Sequence, residues 1–241
     1  MTAAIWIGCA VVSYLLGSIP TGFLWAKARG IDIRTIGSGN IGATNVMRAL
    51  GKGPGITVLL IDAAKGFVPV FVAPVFFPRL DRDALQILCC ICVIAGHNWT
   101  CWLRFKGGKG VATSAGALLA FLPLPLLCGL AVWGVVFAIW RYVSLASICS
   151  AATVPLATWF ITKNTALTAF TTMLSAVVIW KHKPNIQRLL AGTEICVGRA
   201  ASPKPPSGDG GGAPTPSAWQ ASGSPRCKRG RALPRNGKRN A

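Results

Sequence analysis

Seven apolar stretches, at roughly 4–26, 55–78, 84–102, 111–122, 126–140, 143–162 and 165–180, fill the chain as far as Trp180. A run that is apolar all round cannot rest on a water-facing surface. It must lie in lipid or be wrapped by other helices. Only 13% of the 241 residues are charged, against about 25% in soluble domains, and the mean hydropathy is +0.52. These features predict an all-α, polytopic membrane protein of about seven transmembrane helices. Several stretches fall short of the about 20 residues of a perpendicular span, so five spans with re-entrant pieces stand beside seven.

The connections alternate in charge. Lys27, Arg29, Arg34, Arg48 and Lys52 fill the first, Arg104, Lys106 and Lys109 the third, and Arg141 the fifth; Lys181, Lys183 and Arg188 follow the last. Between them Arg79 and Arg82 are offset by Asp81 and Asp83, and Lys163 stands alone. The positive-inside rule makes the first set cytoplasmic, with the N-terminus outside and the C-terminus inside. The first positive charges follow the first apolar run instead of preceding it, which reads as an uncleaved span and not a signal peptide. "LPLP" at 122–125 marks a turn between the fourth and fifth stretches.

The formal net charge is +19, but nearly half of the Lys and Arg lie beyond Trp180. Residues 199–241, rich in Pro, Gly and Ser, cannot bury a core and are expected to be a disordered basic tail after a membrane domain of residues 1–198. A nucleic-acid binder would explain that tail alone, so no nucleic-acid partner is expected. The nine Cys sit mostly inside apolar runs, and with two His in the chain a metal site is not expected.

Six carboxylates leave little room for paired-carboxylate or multi-carboxylate metal chemistry. Asp62 and Lys65 in "LLIDAAKGF" share one helical face; they are either a functional intramembrane pair or an ion pair that orients the helix. "RFKGGKGVAT", 104–113, combines glycines, Lys106, Lys109 and the start of a helix, which suits a phosphate. It is not a Walker loop, because Gly110 follows Lys109. "GSGNIGATNVMR", 37–48, offers backbone amides, Ser38, Asn40, Thr44, Asn45 and the planar fork of Arg48. "KHKPNIQRLLAGTE", 181–194, spaces His182, Asn185 and Arg188 along one face. "RYVSLAS" puts Arg141 and Ser144 on the same side of the membrane. Each cluster also has a plain structural reading as a capped turn or an interfacial helix. Together they predict an anion-binding pocket at the cytoplasmic face.

These motifs occur in the order and spacing of a known family. Over about residues 4–198, "GSIPTGFLWAK", "GSGNIGATNVMR", "DAAKG", "AGHNWTCWLRFKGGKGVAT" and "HKPNIQRLLAGTE" resemble the bacterial membrane acyl-phosphate:glycerol-3-phosphate acyltransferases, the PlsY family. The resemblance implies transfer of an acyl group from acyl phosphate to the 1-hydroxyl of glycerol 3-phosphate, giving lysophosphatidate for phospholipid synthesis, with no cofactor. It implies the bacterial inner membrane, contact with membrane lipids, and a soluble acyl-phosphate-forming enzyme as a partner. It carries catalytic roles onto Ser38, Arg48, Lys109, His182 and Asn185. Phosphate-binding roles fall on Gly39, Asn45, Lys106, Gly107, Gly108, Gly110, Arg141 and Ser144, with His97 upstream of the glycines. Asp62, Lys65 and Glu194 are expected to be structural. "NWTCW" departs from a proline-containing form common in the family.

The His-Asp pair of the other glycerol phosphate acyltransferases is absent: five positions after His97 stands Trp102, and after His182 stands Gln187. The competing class is a phosphate-ester or anion transporter. Such a protein needs a midplane site with access from both sides, whereas the polar motifs here gather on one side.

Overall fold

A computed structural model describes residues 2–197; the expected tail lies outside them. The described residues form ten α-helices: α1 Thr2–Ser18, α2 Thr21–Lys27, α3 Ala43–Leu50, α4 Lys52–Phe76, α5 Arg82–Asn98, α6 Val111–Phe121, α7 Pro123–Trp140, α8 Val143–Thr162, α9 Thr165–Lys181 and α10 Lys183–Leu190. Among these residues there is no strand. The chain is an all-helical, multi-pass membrane protein.

Five segments, Thr2–Lys27, Lys52–Phe76, Arg82–Leu103, Pro123–Trp140 and Val143–Thr162, are long and apolar enough to cross a membrane. α6 and α9 are shorter apolar helices. At 1.5 Å per residue, α6 extends about 16 Å, roughly half the hydrocarbon thickness. The expected first span, 4–26, is broken in two. Pro20 has no N–H to donate and caps α2. The turn closes through the Thr21 N–H to the Ile19 carbonyl at 3.0 Å.

The bundle is packed through small residues and coated with large ones. α1 buries Ser13, Gly17 and Ser18, while Ile7, Val11, Val12 and Leu15 are exposed. A side chain on Gly66 would collide with the Thr113 carbonyl, and one on Gly116 with the Ala63 carbonyl, so α4 and α6 touch backbone to backbone. Such contacts are how helices associate when lipid is as apolar as their side chains. α5 sits at the centre: its Leu85, Cys89, Cys90, Val93 and Ile94 pack with Val70, Ala117, Leu118, Phe170 and Leu174. Phe76, Phe160, Leu60 and Leu156 face outward, as a lipid-facing surface requires.

The loop before α3, the loop between α5 and α6, and the α9–α10 junction meet, and their side chains line a common pocket.

Candidate active site

Asn45 builds the first wall. It is 2% exposed. Its Oδ1 accepts from the Ser38 N–H at 2.9 Å, and its Nδ2 donates to the carbonyls of Ile36 (2.8 Å), Asn40 (2.9 Å) and Ile33 (3.2 Å). The amide is spent on folding residues 33–40 around itself. Gly37 has φ +60°, and a Cβ there would strike Asn45 Oδ1, so only glycine serves both turn and amide. Asn45 therefore holds the loop and is not free to bind phosphate as expected; what it presents is Ser38.

The glycine-rich loop is the second wall. The N–H groups of Gly107 and Gly108 donate to Asn98 O (3.2 Å) and His97 O (3.0 Å). They pin the loop to the end of α5 and are not aimed at a ligand. A Cβ on Gly108 would enter the His97 ring, and one on Gly110 would enter the Asn98 side chain. The glycines thus allow close packing, while the donors left for an anion are the first N–H groups of α6. Lys109 leaves this loop and hydrogen-bonds Asn185 Oδ1.

The third wall is α10, whose first turn begins with Lys183 and Pro184. Asn185 Nδ2 donates to Glu194 Oε1 at 2.7 Å, Ser144 Oγ donates to the same oxygen at 2.8 Å, and Arg188 Nε donates to Oε2 at 2.7 Å. Glu194 is thus the hub that orients Asn185 and Arg188. The expected phosphate contact of Ser144 is replaced by this bond. Arg48 donates to the carbonyl of the next residue, Ile195, at 3.5 Å.

The pocket enclosed by these walls has a volume of about 160 Å³ and is lined by Ser38, Gly39, Asn40, Gly107, Gly108, Lys109, Lys181, Pro184, Asn185 and Arg188. Of the expected residues, Ser38, Gly39, Gly107, Gly108, Lys109 and Asn185 come together in its wall. Arg48, Gly110 and His182 do not reach it. Arg141 is exposed, with its guanidinium 5.8 Å from the Phe137 ring. Lys106 faces a different cleft. Arg188, which the sequence places on one helical face with His182 and Asn185 in the expected anion pocket, lines it, and Lys181, to which the sequence reading gives no ligand role, joins it. Lys181 is held by Asn98 O at 2.9 Å and lies 4.6 Å from the Trp99 ring.

The electrostatics favour an anion. Lys109, Lys181 and Arg188 line the pocket and Arg48 acts on Lys109 through its charge; among the described residues that meet here, Glu194 is the carboxylate that answers them. Burial lowers the Lys109 ammonium from 10.5 to about 8; Glu194 opposes the fall and Arg188 and Arg48 add to it. Burial also lowers Arg48. Burial raises the Glu194 carboxyl, but hydrogen bonds from Asn185, Ser144 and Arg188 outweigh it and leave the group below its ordinary value. Burial takes His182 down to about 4. Its Nδ1 lies 2.8 Å from the Val178 carbonyl, so the neutral ring donates there and keeps Nε2 as an acceptor. Asp62 and Lys65 pair at 2.8 Å inside the bundle, and Lys65 also donates to Ile19 O at 2.8 Å. The His97 Nδ1 lies 3.8 Å from the same carboxylate.

The family model "Glycerol-3-phosphate acyltransferase" matches residues 7–192. The glycerol-3-phosphate acyltransferase of Desulforamulus reducens is 47% identical over 189 residues, covering 78% of this chain and 92% of that protein. That of Geotalea daltonii is 48% identical over 183 residues, covering 76% and 92%. Among solved structures, the glycerol 3-phosphate form of PlsY (YgiH), an integral membrane glycerol 3-phosphate acyltransferase, is 39% identical with a TM-score of 0.75, covering 80% of this chain and 96% of that one. The lysophosphatidic acid form of PlsY is 38% identical with a TM-score of 0.72, covering 80% and 95%.

Proposed function

Since the chain belongs to the glycerol-3-phosphate acyltransferase family and is itself an acyltransferase of glycerol 3-phosphate, we propose that its donor is acyl phosphate and that the pocket between Ser38, Lys109 and Asn185 is where transfer occurs. The 1-hydroxyl oxygen of glycerol 3-phosphate attacks the acyl carbonyl carbon. The carbon–oxygen bond to phosphate breaks, inorganic phosphate leaves, and lysophosphatidate remains.

The observation that supports this reading most is the network centred on Glu194. It fixes Arg188 and Asn185, and through Asn185 it fixes Lys109. Donors held in place need no reorganisation when charge develops on a phosphate or a carbonyl oxygen. Ser38 and the first turn of α6 complete the donor set. Arg48 and His182, one step outside the wall, shape its charge and position.

The proton of the attacking hydroxyl needs an acceptor. A histidine that ionises near 4 is a weak base at neutral pH. The phosphate of a substrate, whose second ionisation lies near neutrality (about 6 for a phosphate monoester), is the better one. The proton therefore passes to substrate phosphate, and His182 and Asn185 act as positioners.

The proposed topology has seven crossings, with the N-terminus outside and the C-terminus and pocket on the cytoplasmic side of the bacterial inner membrane. α6 and α9 would cross despite their length, and residues 199–241 would lie outside the catalytic unit. Alternating loop charge supports this orientation. Cysteine probes test it: a reagent added outside intact cells should label a site near Asp81 and miss Gly39, Gly108 and Asn185. Outside labelling at any of those three would refute the one-sided pocket.

A further inference from the structure

Lys106 was expected at the substrate phosphate, yet it lines a second cleft of about 440 Å³ with Arg34, Trp102, Leu103 and Arg104. None of these residues lines the pocket between Ser38, Lys109 and Asn185. The cleft is a built feature. The Phe105 N–H bonds Thr100 O at 2.9 Å and the Lys106 N–H bonds Leu103 O at 3.0 Å. The Thr100 hydroxyl is tied to the Ser18 carbonyl. Arg34 is clamped by Asp32 at 2.6 Å and lies 4.9 Å from the Phe23 ring.

Two features set this loop apart. Trp102 and Phe105 are 66% and 62% exposed, and Arg104 and Phe105 both adopt the left-handed conformation, at φ 53° and 61°. Without a Cβ-free residue at either position, the backbone accepts this only because the turn is fixed around it. The result sets large rings outward beside three cations, at the end of the apolar segment Arg82–Leu103. Aromatic rings at a span end sit at the headgroup level, and basic groups there attract anionic lipid.

We infer that this cleft holds the headgroup of an anionic phospholipid, its phosphate against Arg104, Lys106 and Arg34 and its glycerol against Trp102. Among the described residues the ion pair at this cleft is that of Asp32 with Arg34. The excess positive charge disfavours the quaternary ammonium of phosphatidylcholine and favours a headgroup with net negative charge. The inference rests on the membrane placement of this loop but not on the donor or the proton route.

The test uses the full chain in nanodiscs of phosphatidylcholine, titrated with headgroup-spin-labelled phosphatidylglycerol or phosphatidylcholine while tryptophan fluorescence is read. Both leaflets carry the same lipid, so orientation does not enter. Labelled phosphatidylglycerol should quench a component that is missing in Trp102→Phe, at several-fold lower content than labelled phosphatidylcholine. Arg104→Gln with Lys106→Gln should abolish that preference. Arg82→Gln with Arg79→Gln, which removes equal charge at the far end of α5, should leave it intact. Monodisperse elution and an unchanged thermal unfolding curve report that the variants are folded, whatever activity they keep, and Trp102→Phe alone locates the signal. Equal quenching by the two lipids overturns the inference. So does a preference that survives the Arg104 and Lys106 changes, or one that Arg79 and Arg82 share. Displacement of the labelled lipid by millimolar inorganic phosphate would reassign the cleft to free phosphate and also overturns it.

Discussion

Lys109 Nζ donates a hydrogen bond to Asn185 Oδ1, joining the glycine-rich loop to α10 across 76 positions of sequence. Because Asn185 Nδ2 donates in turn to Glu194, the amide can satisfy both neighbours in only one orientation. Asn185→Leu removes both bonds while roughly keeping the volume. Truncating one partner of a buried, hydrogen-bonded charge costs about 2–5 kcal/mol, so kcat/KM for glycerol 3-phosphate should fall by at least an order of magnitude. Activity within a factor of two of wild type would show that the bridge is incidental.

Lys109 sets an alkaline limit. Burial lowers its ammonium to about 8, so the positive charge, and the anion site with it, is lost as pH rises through that value. kcat/KM should fall above pH about 8, because this ratio reports groups of the free enzyme. The limb in kcat should lie higher, because bound phosphate favours the charged form. Lys109→Arg keeps its charge at all these pH values, so whatever activity it retains should show no alkaline limb. An unchanged limb in that variant would assign it to another group.

Glu194 links the site to acid stability. Its folded carboxyl lies below the ordinary value of 4.5. Its contribution is therefore complete above pH about 4.5 and is lost as pH falls through the lower folded value. Tm of the wild type should drop across that acid range, and the Glu194→Gln protein should start lower at neutral pH and drop less. Parallel curves for the two proteins would remove Glu194 from the account of acid sensitivity.

His182 separates the two proton routes. His182→Gln should keep part of the activity, with its pH profile little moved, because substrate phosphate takes the proton. A loss of about 10³-fold or more in kcat with binding intact, together with loss of an acidic limb, would make His182 the base.

The helices and the place of the pocket were legible in the sequence for a simple reason. Apolar runs in lipid satisfy their backbone within a helix, and the glycine-, lysine- and asparagine-bearing motifs supply the groups that line the pocket. α4, α8 and α9 begin within a few residues of their apolar stretches. The fine assignment was not legible. Lys106 and Lys109 are three apart, and sequence treats them alike. Two left-handed residues, Arg104 and Phe105, turn the loop between span and glycines, and the two lysines face separate clefts. Asn45 looked like a ligand because a buried amide and a binding amide share one composition; the carbonyls it binds are 5 to 12 positions away. Glu194 meets Ser144 across 50 positions, and no periodicity announces such a contact.

The identity of the acyl donor is decided by measuring both products of one reaction. Purified full-length protein in lipid is given acyl phosphate and labelled glycerol 3-phosphate, and labelled lysophosphatidate and free inorganic phosphate are measured together. With acyl phosphate as donor both should appear in equal amounts, and an acyl thioester in its place should yield neither. Acylation from the thioester alone would contradict this assignment, as would unmodified glycerol 3-phosphate accumulating inside vesicles without phosphate release.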